Sequence, residues 1–579
     1  MKDIHTPIAP TENQTTSNHQ LRRLEVGFWL LAILLGFVHA WADRHYLFNA
    51  DAMSYLDIAE AYLRRDWATA VNAYWSPLYS WLLALALLVI KPSPYWKFTV
   101  LHLVNFGIYL FAFGCFSFLI RELVRTRRIE RAELGLVTVP DRALVALGYS
   151  LVIWSSLFLI TVALESPDML VAAFVYLATG LLVRIRREPS RWATFIVLGV
   201  VLGAGFLAKS VMLPLTVIFL LGCIFAIGNL RRALPRVALA GALFVMVAGP
   251  FVFAMSQAKG SLTTGKTGKL NYLWSINRVI NTHWQGEEPG SGTPAHATRK
   301  IFDDPPAFEF AEPVGGTYPV WYDPTYWYEG SVSHFDLRGQ LKVIGRGIGS
   351  YYDIVQEWGL QYGLAVALIF FYLLSRRGRR LIYDLKDQWP VLLPALGGFG
   401  LYVLVNVQDR YVASFIVLFW LCLFAAVRLP QAPDSERFMK AAMVVLAGLI
   451  VLTSIASSAR ETGVTLRVLV RGEDPVAHEQ WQVAEGLRER GLAPSDKVAF
   501  IGYSVRGFWA HLAQLRIVAE IRRDKITDFW EADDVRKAQL INAFAGTGVK
   551  AVVAERPPAG TDLSNWQRIR QTDYYVHLF

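Results

Sequence analysis

Three carboxylates follow closely on the first long apolar run of the chain. The run VGFWLLAILLGFVHAWA (26–42) is followed by FNADAMSYLDIAE (48–60), which carries Asp51, Asp57 and Glu60. Ionisable residues at a membrane edge usually mark a functional site, and a carboxylate there can deprotonate a substrate hydroxyl. Asp51 also opens a helical pattern, so capping of an amphipathic helix is the alternative role. The pattern predicts one of these two roles for Asp51.

A second acidic cluster lies in the turn ALESPDMLVAAF, which joins two apolar runs and holds Glu165 and Asp168. Pro167 falls near the first position of the following helix, where a cap and the helix dipole favour acidic residues. Capping explains one acid better than it explains two. We therefore treat Asp168 and Glu165 as candidate catalytic carboxylates beside Asp51.

Four basic residues lie in comparable positions. Lys209 falls in the break LAKS between two apolar runs, and Arg410 falls in NVQDRYVAS between two later ones. A lysine or arginine at a membrane edge can extend its charge to the interface, but both also suit a phosphate. Arg64 and Arg65 follow the first outer helix, where they would contact headgroups or bind a lipid phosphate. Cations and carboxylates from distant segments together predict a site for an anionic substrate.

The long polar segment 256–352 is rich in aromatic residues. Tryptophans and tyrosines are rare in disordered chains and suit both sugar faces and membrane interfaces. We therefore expect Trp274, His283 and Trp284 from this segment, and Tyr55 from the first outer helix, to contact substrate. His283 lacks the tight spacing of a metal ligand, so a purely structural role is its alternative.

One pattern in the same segment is rejected. GSLTTGKT (260–267) matches the phosphate-binding loop of nucleotide-binding proteins letter for letter. That loop requires a preceding strand and a following helix. Here it follows an apolar run and is predicted to face outward, so a flexible loop is the better interpretation.

Composition places the chain among polytopic membrane proteins. Of 579 residues, 54% are hydrophobic and 18% charged, and apolar runs long enough to cross a bilayer recur. We predict about eleven spans, at 26–42, 97–120, 143–162, 168–184, 191–208, 211–229, 236–255, 353–375, 389–407, 411–428 and 439–456. The run at 81–90 is short and flanked by prolines, which favours an interfacial or re-entrant helix.

The distribution of basic residues predicts the orientation. With 81–90 not crossing, the arginine-rich loops all fall on the cytoplasmic side, as the positive-inside rule requires. The predicted order is a cytoplasmic tail (1–23), a transmembrane region (24–456) with outer loops 43–96 and 256–352, and an outer domain (457–579). We expect a multi-pass protein of the cell membrane whose active site and last domain are extracytoplasmic.

The last domain alternates apolar strands with helices. KVAFIGY, RIVAEI and VKAVVAE are predicted as strands, and VRGFWAHLAQ and DDVRKAQLINAFAG as helices, which indicates an α/β domain. It shows no glycine-rich fingerprint, which favours a supporting or acceptor-holding role.

The net charge of +10 lies mostly in short loops and gives no evidence for nucleic acid. Cys115, Cys223 and Cys422 fall in apolar runs, which predicts neither disulfides nor zinc.

The arrangement resembles the GT-C glycosyltransferases. The resemblance is carried by the acid after the first span, the segment SPLYSWLLAL, the SPD turn and the segment QDRYVASFIVLF. It is most similar to the glycosyltransferase 39-like branch, which contains protein mannosyltransferases and the aminoarabinose transferase of lipid A. The resemblance covers roughly residues 20–430 as an arrangement and is specific only in these short motifs.

The resemblance implies transfer of a hexosyl or pentosyl group from a polyprenyl-phosphate-linked donor to an extracytoplasmic glycan, lipid or protein. It assigns Asp51 as general base and Asp168 as the second family acid, with Lys209 and Arg410 holding the donor phosphate. Ala52 stands where many relatives carry a second acid, so we predict no obligatory metal, although a divalent ion would be compatible.

Two other classes of function remain. A transporter or flippase of a lipid-linked sugar would be expected to show internal repeats and charges within its spans, whereas the charges here concentrate at one face. A non-catalytic scaffold would not require the clustered acids. The enzyme is therefore the favoured hypothesis, with the transporter as its alternative.

Overall fold

The computed structural model describes residues 12–134, 137–374, 385–429, 435–471 and 477–579. Residues 1–11 of the predicted cytoplasmic tail and the basic loop 375–380 lie outside them. The helices up to residue 471 are α1 (Glu12–Ala42), α2 (Ala52–Leu63), α3 (Trp67–Ala70), α4 (Pro77–Ile90), α5 (Lys97–Leu134), α6 (Asp141–Trp154), α7 (Asp168–Arg187), α8 (Trp192–Ala208), α9 (Met212–Ile227), α10 (Leu230–Ala258), α11 (Thr267–Ser275), α12 (Pro319–Tyr322), α13 (Pro324–Trp327), α14 (Leu337–Trp358), α15 (Leu360–Leu374), α16 (Trp389–Val403), α17 (Asp409–Ala425) and α18 (Ser435–Arg471).

Most of the predicted spans coincide with a helix. Within the described residues, six helices are long and apolar enough to cross a bilayer, and a seventh is added if the bent pair α14–α15 forms one span. The six are Asn18–Ala42, Pro94–Glu130, Asp141–Leu159, Asp168–Arg187, Leu230–Ala258 and Arg437–Arg460. Helices α8, α9 and α16 are shorter. The chain is a multi-pass membrane protein, as predicted, and the count of eleven stays a prediction.

The predicted span 353–375 is wrong as a single continuous helix. Helix α14 ends at Trp358, and α15 leaves at an angle of 87° to it. Gly359 between them has φ 56, the left-handed conformation that commonly ends a helix. The prediction from hydropathy merged the end of α14 with α15.

The short run 81–90 forms the second part of α4. This helix begins at Pro77 and ends at Ile90, and the next residue, Lys91, has φ 49. It packs on α2, where the Ser80 hydroxyl donates to the Tyr55 carbonyl at 3.0 Å. Leu85, Leu88 and Val89 are exposed, as expected for a helix with one lipid-facing side.

Basic residues gather at the end of the bundle opposite to α2 and α4. Arg184 and Arg187, at the end of α7, each donate to Glu122 of α5 at 2.7 Å. Arg428 lies 2.6 Å from Asp387 in the helical turn that precedes α16. The basic second half of α5 and the basic end of α7 therefore lie side by side, as the charge pattern predicts for these two segments.

Among the described residues, seven strands form one mixed sheet with flanking helices, and two short strands pair in a separate two-stranded sheet, β1 with β4. The strands are β1 (Val137–Thr138), β2 (Arg299–Asp303), β3 (Pro306–Glu309), β4 (Arg428–Leu429), β5 (Lys497–Ile501), β6 (Arg516–Ile521), β7 (Ala551–Glu555), β8 (Gln567–Arg568) and β9 (Tyr574–Leu578), and the helices are α19 (Ala477–Glu489), α20 (Phe508–Ala513), α21 (Ile526–Glu531) and α22 (Asp534–Ala545). The three predicted strands are confirmed as β5, β6 and β7, whereas β8 and β9 were not predicted.

The sheet joins two regions that were predicted from the sequence to be separate, the outer loop 256–352 and the last domain. Its seven strands run β2-β3-β6-β5-β7-β9-β8, with β5 parallel to both β6 and β7. Strands β2 and β3 come from the outer loop 256–352, and β3 pairs antiparallel with β6. Helix α18 also continues to Arg471, through the boundary predicted at 456. The last domain is therefore built partly from the loop.

Candidate active site

A cavity lies at the end of the bundle that carries the 43–96 segment, and we call it the outer cavity. It encloses about 90 Å³. Its polar and aromatic lining is supplied by Asp51, Tyr55, Tyr74, Trp75, Ser166, Asp168, Lys209, Thr267, Asn271, Arg410 and Tyr411. Four of the ionisable residues nominated from the sequence, two acids and two cations, thus line one cavity although they come from four distant segments.

Asp51 precedes helix α2 but does not cap it. Its side chain makes no capping hydrogen bond. One carboxylate oxygen instead accepts from the indole N–H of Trp321 at 3.1 Å, and its backbone N–H donates to Asn49. Burial raises the pKa of Asp51, while Arg410, Trp321, Asn49 and Lys209 act to lower it. The carboxylate therefore faces the cavity, where it is available to accept a proton.

Asp168, Lys209 and Arg410 form the charged wall of the outer cavity. Asp168 is the first residue of α7 and is buried. Lys209 Nζ lies 2.5 Å from Asp168 Oδ1, and Arg410 Nε lies 3.6 Å from Asp168 Oδ2. The Ser166 hydroxyl adds a hydrogen bond of 2.9 Å to the same carboxylate. Asp168 thus holds both cations at the cavity.

Tyr411 supports both cations from the other side. Lys209 Nζ lies 3.9 Å and Arg410 Cζ 4.9 Å from its ring centroid. Arg410 also donates to the Tyr411 hydroxyl at 3.1 Å and to the Gln408 side chain at 2.9 Å. Neither cation is fully buried, since Lys209 is 25% and Arg410 16% exposed. They remain accessible to an anion entering the cavity.

The catalytic role predicted for Glu165 does not fit its position. Its carboxylate is fully buried behind the cavity and accepts from the backbone N–H groups of Phe48 and Asn49 at 3.1 and 2.9 Å. Asn49 in turn donates to the Glu165 carbonyl and accepts from Asp51. Burial raises the pKa of Glu165 to about 8 despite these donors. Glu165 therefore holds the segment 48–50, which leads to Asp51, in place.

Tyr74 and Trp75 line the outer cavity, and Trp321 packs on both and donates to Asp51; we call these three residues the aromatic wall, with Trp274 stacked behind. The centroids of Trp274 and Trp321 lie 5.9 Å apart at an interplanar angle of 23°, and Tyr74 lies 5.7 Å from Trp274. Tyr55 packs edge-on to Trp75 at 5.0 Å. Tyr55 lines the cavity whereas Trp274 lies behind it, and substrate contact by either stays a prediction. Trp321 and Tyr74 were not nominated.

The rejected nucleotide-loop pattern helps to close the same cavity. Lys266 donates its backbone N–H to the Ala73 carbonyl at 2.7 Å, and the Thr267 hydroxyl donates to the Tyr74 carbonyl. Thr267 begins helix α11, and Asn271 follows one turn later. No strand precedes the pattern among the described residues of this segment. The segment therefore acts as a brace for the 73–75 turn.

Four nominated residues lie elsewhere. His283 is buried against the C-terminal sheet, 2.9 Å from Glu520 of β6, whereas Trp284 is buried within the outer loop, where it donates to Ser291 and stacks on Tyr328. Arg64 and Arg65 are exposed beyond the end of α2, and Arg64 is 3.5 Å from Glu60. None of the four lines the outer cavity. Aromatic content and charge indicated the region but not the direction of these side chains.

A buried polar network joins α2 to the C-terminal domain. Asp57 accepts from the Thr317 backbone N–H at 2.6 Å and from its hydroxyl at 2.9 Å, and it lies 2.8 Å from His511 Nδ1. His511 also lies within 3.6 Å of Glu60, which Lys97 contacts at 2.6 Å. The helix that follows Asp51 is therefore fastened to the last domain.

Within the described residues, no group of three or more His, Cys, Asp or Glu side chains is arranged to hold a metal ion. The outer cavity contributes only two carboxylates, one of which is engaged by Lys209 and Arg410. The independence from an obligatory metal stays a prediction.

The fold is similar to that of known membrane proteins, although the sequence matches none. No protein-family model matches the chain, and no curated protein sequence matches it. A crystal structure of ArnT from Cupriavidus metallidurans in the apo state has a TM-score of 0.51 at 13% identity, covering 95% of this chain and 97% of that one. ArnT bound to undecaprenyl phosphate gives 0.49 at 11% identity over the same shares, and an Archaeoglobus fulgidus oligosaccharyltransferase with zinc and sulfate gives 0.49 at 13%, covering 92% and 68%.

At 13% identity, the comparison with ArnT shows a common fold. The fold is shared with ArnT, the lipid A aminoarabinose transferase, along almost the full length of both chains. The resemblance inferred from short motifs is thereby confirmed at the level of the fold.

Proposed function

We propose that this protein is a membrane glycosyltransferase that moves a sugar from a polyprenyl-phosphate-linked donor to an acceptor outside the cytoplasm. The observation that carries the proposal is the convergence of Asp51, Asp168, Lys209 and Arg410 on one cavity. The shared GT-C fold supports it. The acceptor is a glycan, a lipid or a protein.

Asp51 is the proposed general base. It takes the proton of the acceptor hydroxyl while that oxygen forms a bond to the anomeric carbon of the sugar, and the bond from this carbon to the phosphate oxygen breaks. The products are the glycosylated acceptor and polyprenyl phosphate. Because Asp51 has one indole donor and no capping bond, its carboxylate has free acceptor capacity for this proton.

Lys209 and Arg410 are the proposed phosphate-binding groups. The leaving phosphate gains negative charge as the sugar departs, so cations placed beforehand lower the barrier. A guanidinium can bind two phosphate oxygens at once, and a lysine adds a compact charge. Asp168 positions both cations through its contacts at 2.5 and 3.6 Å.

The outer cavity must widen to admit a donor. Its volume of about 90 Å³ holds the reacting atoms, whereas small-molecule pockets are usually about 300 to 1,000 Å³. The aromatic wall is the part to move, because Tyr74 lies between α3 and α4 and Trp321 lies in the four-residue helix α12, whereas the charged residues sit at the ends of long helices. Aromatic rings released in this way suit stacking on a sugar face.

The test uses the purified full chain in lipid nanodiscs. A polyprenyl-phosphate-linked sugar labelled on the sugar is added together with an envelope fraction from the source cells. We expect label in a lipid, glycan or protein product and stoichiometric release of polyprenyl phosphate. Movement of intact donor between the leaflets of liposomes, with no release of polyprenyl phosphate, would instead establish a transporter.

A further inference from the structure

A second cavity lies at the opposite end of the bundle, between α1, α5 and α6. It encloses about 810 Å³. Arg22, Arg121, Arg125 and Arg128 line it with a single acid, Glu25. We call it the inner groove, and none of its residues contributes to the outer cavity.

Two of the four arginines have their charge satisfied within the protein. Arg121 contacts Glu25 at 2.8 Å, and Arg128 contacts Asp141 at 2.6 Å and Asn18 at 2.9 Å. Arg22 and Arg125 are exposed. Among the side chains that the structure describes, none lies within ion-pair distance of Arg22 or Arg125, and the acid that interacts electrostatically with Arg125 is Glu188, just beyond the end of α7. The inner groove therefore has an excess of cationic hydrogen-bond donors.

The distance along α5 places the inner groove at the other edge of a bilayer. His102, near the start of α5, contacts the Tyr46 carbonyl on the outer side at 2.7 Å. Arg125 follows 23 residues later in the same helix, which corresponds to about 35 Å at the rise of an α-helix. A bilayer core is about 30 Å thick. The arginines thus reach the level of the opposite headgroups.

Apolar surface continues from the inner groove along α1. Ile129 within the groove is 46% exposed, and on α1 Val26 and Leu30 are 51% and 63% exposed. The stripe is extended by Ile33, Leu34, Phe37 and Trp41, all exposed. These positions recur at helical spacing and so lie on one face. A ligand with an anionic head and long apolar chains would match both parts, whereas a free anion would match only the arginines.

We propose that the inner groove binds the phosphate headgroup of an anionic phospholipid, with the acyl chains lying along the exposed stripe of α1. Basic pockets between transmembrane helices on the cytoplasmic side bind such headgroups. Arginine binds phosphate oxygens in pairs, which suits a phosphodiester. The site is separate from the proposed transfer reaction and does not depend on it.

The test measures lipid selectivity of the full chain. The protein is reconstituted in equimolar phosphatidylcholine and phosphatidylglycerol, and retained lipids are identified by native mass spectrometry. We expect a retained phosphatidylglycerol in the wild type and a loss of selectivity of about thirtyfold in Arg22→Ala/Arg125→Ala, as expected for two basic residues beside headgroups. Arg22→Lys/Arg125→Lys should keep part of the selectivity, because it keeps the charges.

Arg231→Ala/Arg232→Ala is the matched control. These exposed arginines begin α10 at the same end of the bundle and do not line the groove. Equal retention of both lipids by the wild type would overturn the proposal, as would an equal loss in the control. A second arm replaces phosphatidylglycerol with polyprenyl phosphate, and a third adds inorganic phosphate as competitor. Stronger retention of polyprenyl phosphate, or displacement by millimolar phosphate, would assign the groove to those anions instead.

Discussion

The two walls of the outer cavity are built in different ways. The charged wall consists of Asp168, Lys209 and Arg410, each at the end or start of a membrane helix, with both cations in contact with Asp168. The aromatic wall consists of side chains from the long outer segments. The comparison shows that the ionic groups are fixed by the bundle, whereas the shape of the cavity depends on how the outer segments are held.

The aromatic wall is held from behind by the C-terminal domain. Tyr318, which precedes the helix of Trp321, donates to Glu520 of β6 at 2.5 Å. The Thr317 carbonyl accepts from the backbone of Ile517, and the Thr317 N–H donates to Asp57. Asp51 lies between the two walls. The last domain therefore helps to hold the residues around Asp51 in place. This is a more specific form of the supporting role expected from its sequence.

The largest effect should come from Asp51, where the two walls meet. Asp51→Asn keeps the shape and an acceptor oxygen for Trp321 but removes the base. Loss of a general base costs about a hundredfold to ten-thousandfold, so we expect transfer to fall within that range. The rate of transfer from a labelled polyprenyl-phosphate sugar measures it.

Asp66→Asn is its control. Asp66 caps α3 through the Thr69 N–H and hydroxyl and does not line the outer cavity. Asparagine caps as well as aspartate, so this variant should keep wild-type turnover. Near-normal transfer by folded Asp51→Asn would remove Asp51 from the proton transfer.

The next effect concerns the charged wall. Arg410→Ala removes the guanidinium but leaves Asp168 paired with Lys209, so the fold should survive. We expect kcat to fall about a hundredfold, the usual effect of losing one charge-stabilising group, together with weaker donor binding. Arg410→Lys should recover part of both, since it restores charge without the paired donors. Donor titrations of the two variants separate the change in kcat from the change in donor affinity. If Arg410→Lys lost as much of both as Arg410→Ala, the geometry of the guanidinium alone would matter.

The difference between the walls also explains what could be predicted. Asp51, Asp168, Lys209 and Arg410 were found because each is a charge at the edge of an apolar run, and hydropathy gives those edges. Trp321 was not nominated, because its contact with Asp51 joins residues 270 positions apart. Trp284, from the same segment, is buried elsewhere in the loop against Tyr328. Composition identifies an aromatic segment but not which ring contacts Asp51.

A smaller effect is expected at the aromatic wall. Trp321→Phe keeps a ring but removes the indole N–H that lowers the pKa of Asp51. The folded pKa of Asp51 should therefore rise. Because a general base must be ionised, the acid limb of kcat/KM should move to higher pH, with a loss of about tenfold, the low end of the range for one hydrogen bond to a charged group. Trp284→Phe, which removes the donor to Ser291 away from the cavity, is the control and should leave the pH profile unchanged.

The smallest effect is expected outside both walls, at Arg64 and Arg65. The sequence assigned these residues to the donor phosphate, but the structure leaves them exposed beyond α2 and away from the cavity, with Arg64 61% exposed beside Glu60. A surface ion pair of this kind contributes about 0 to 1 kcal/mol. We expect Arg64→Ala/Arg65→Ala to change the KM for the donor less than about twofold, the scale set by losing an exposed contact rather than a phosphate ligand. Donor titration at two ionic strengths measures this. A rise in KM as large as that of Arg410→Ala would mean that the donor phosphate approaches along α2, and the charged wall would then hold a different part of the substrate.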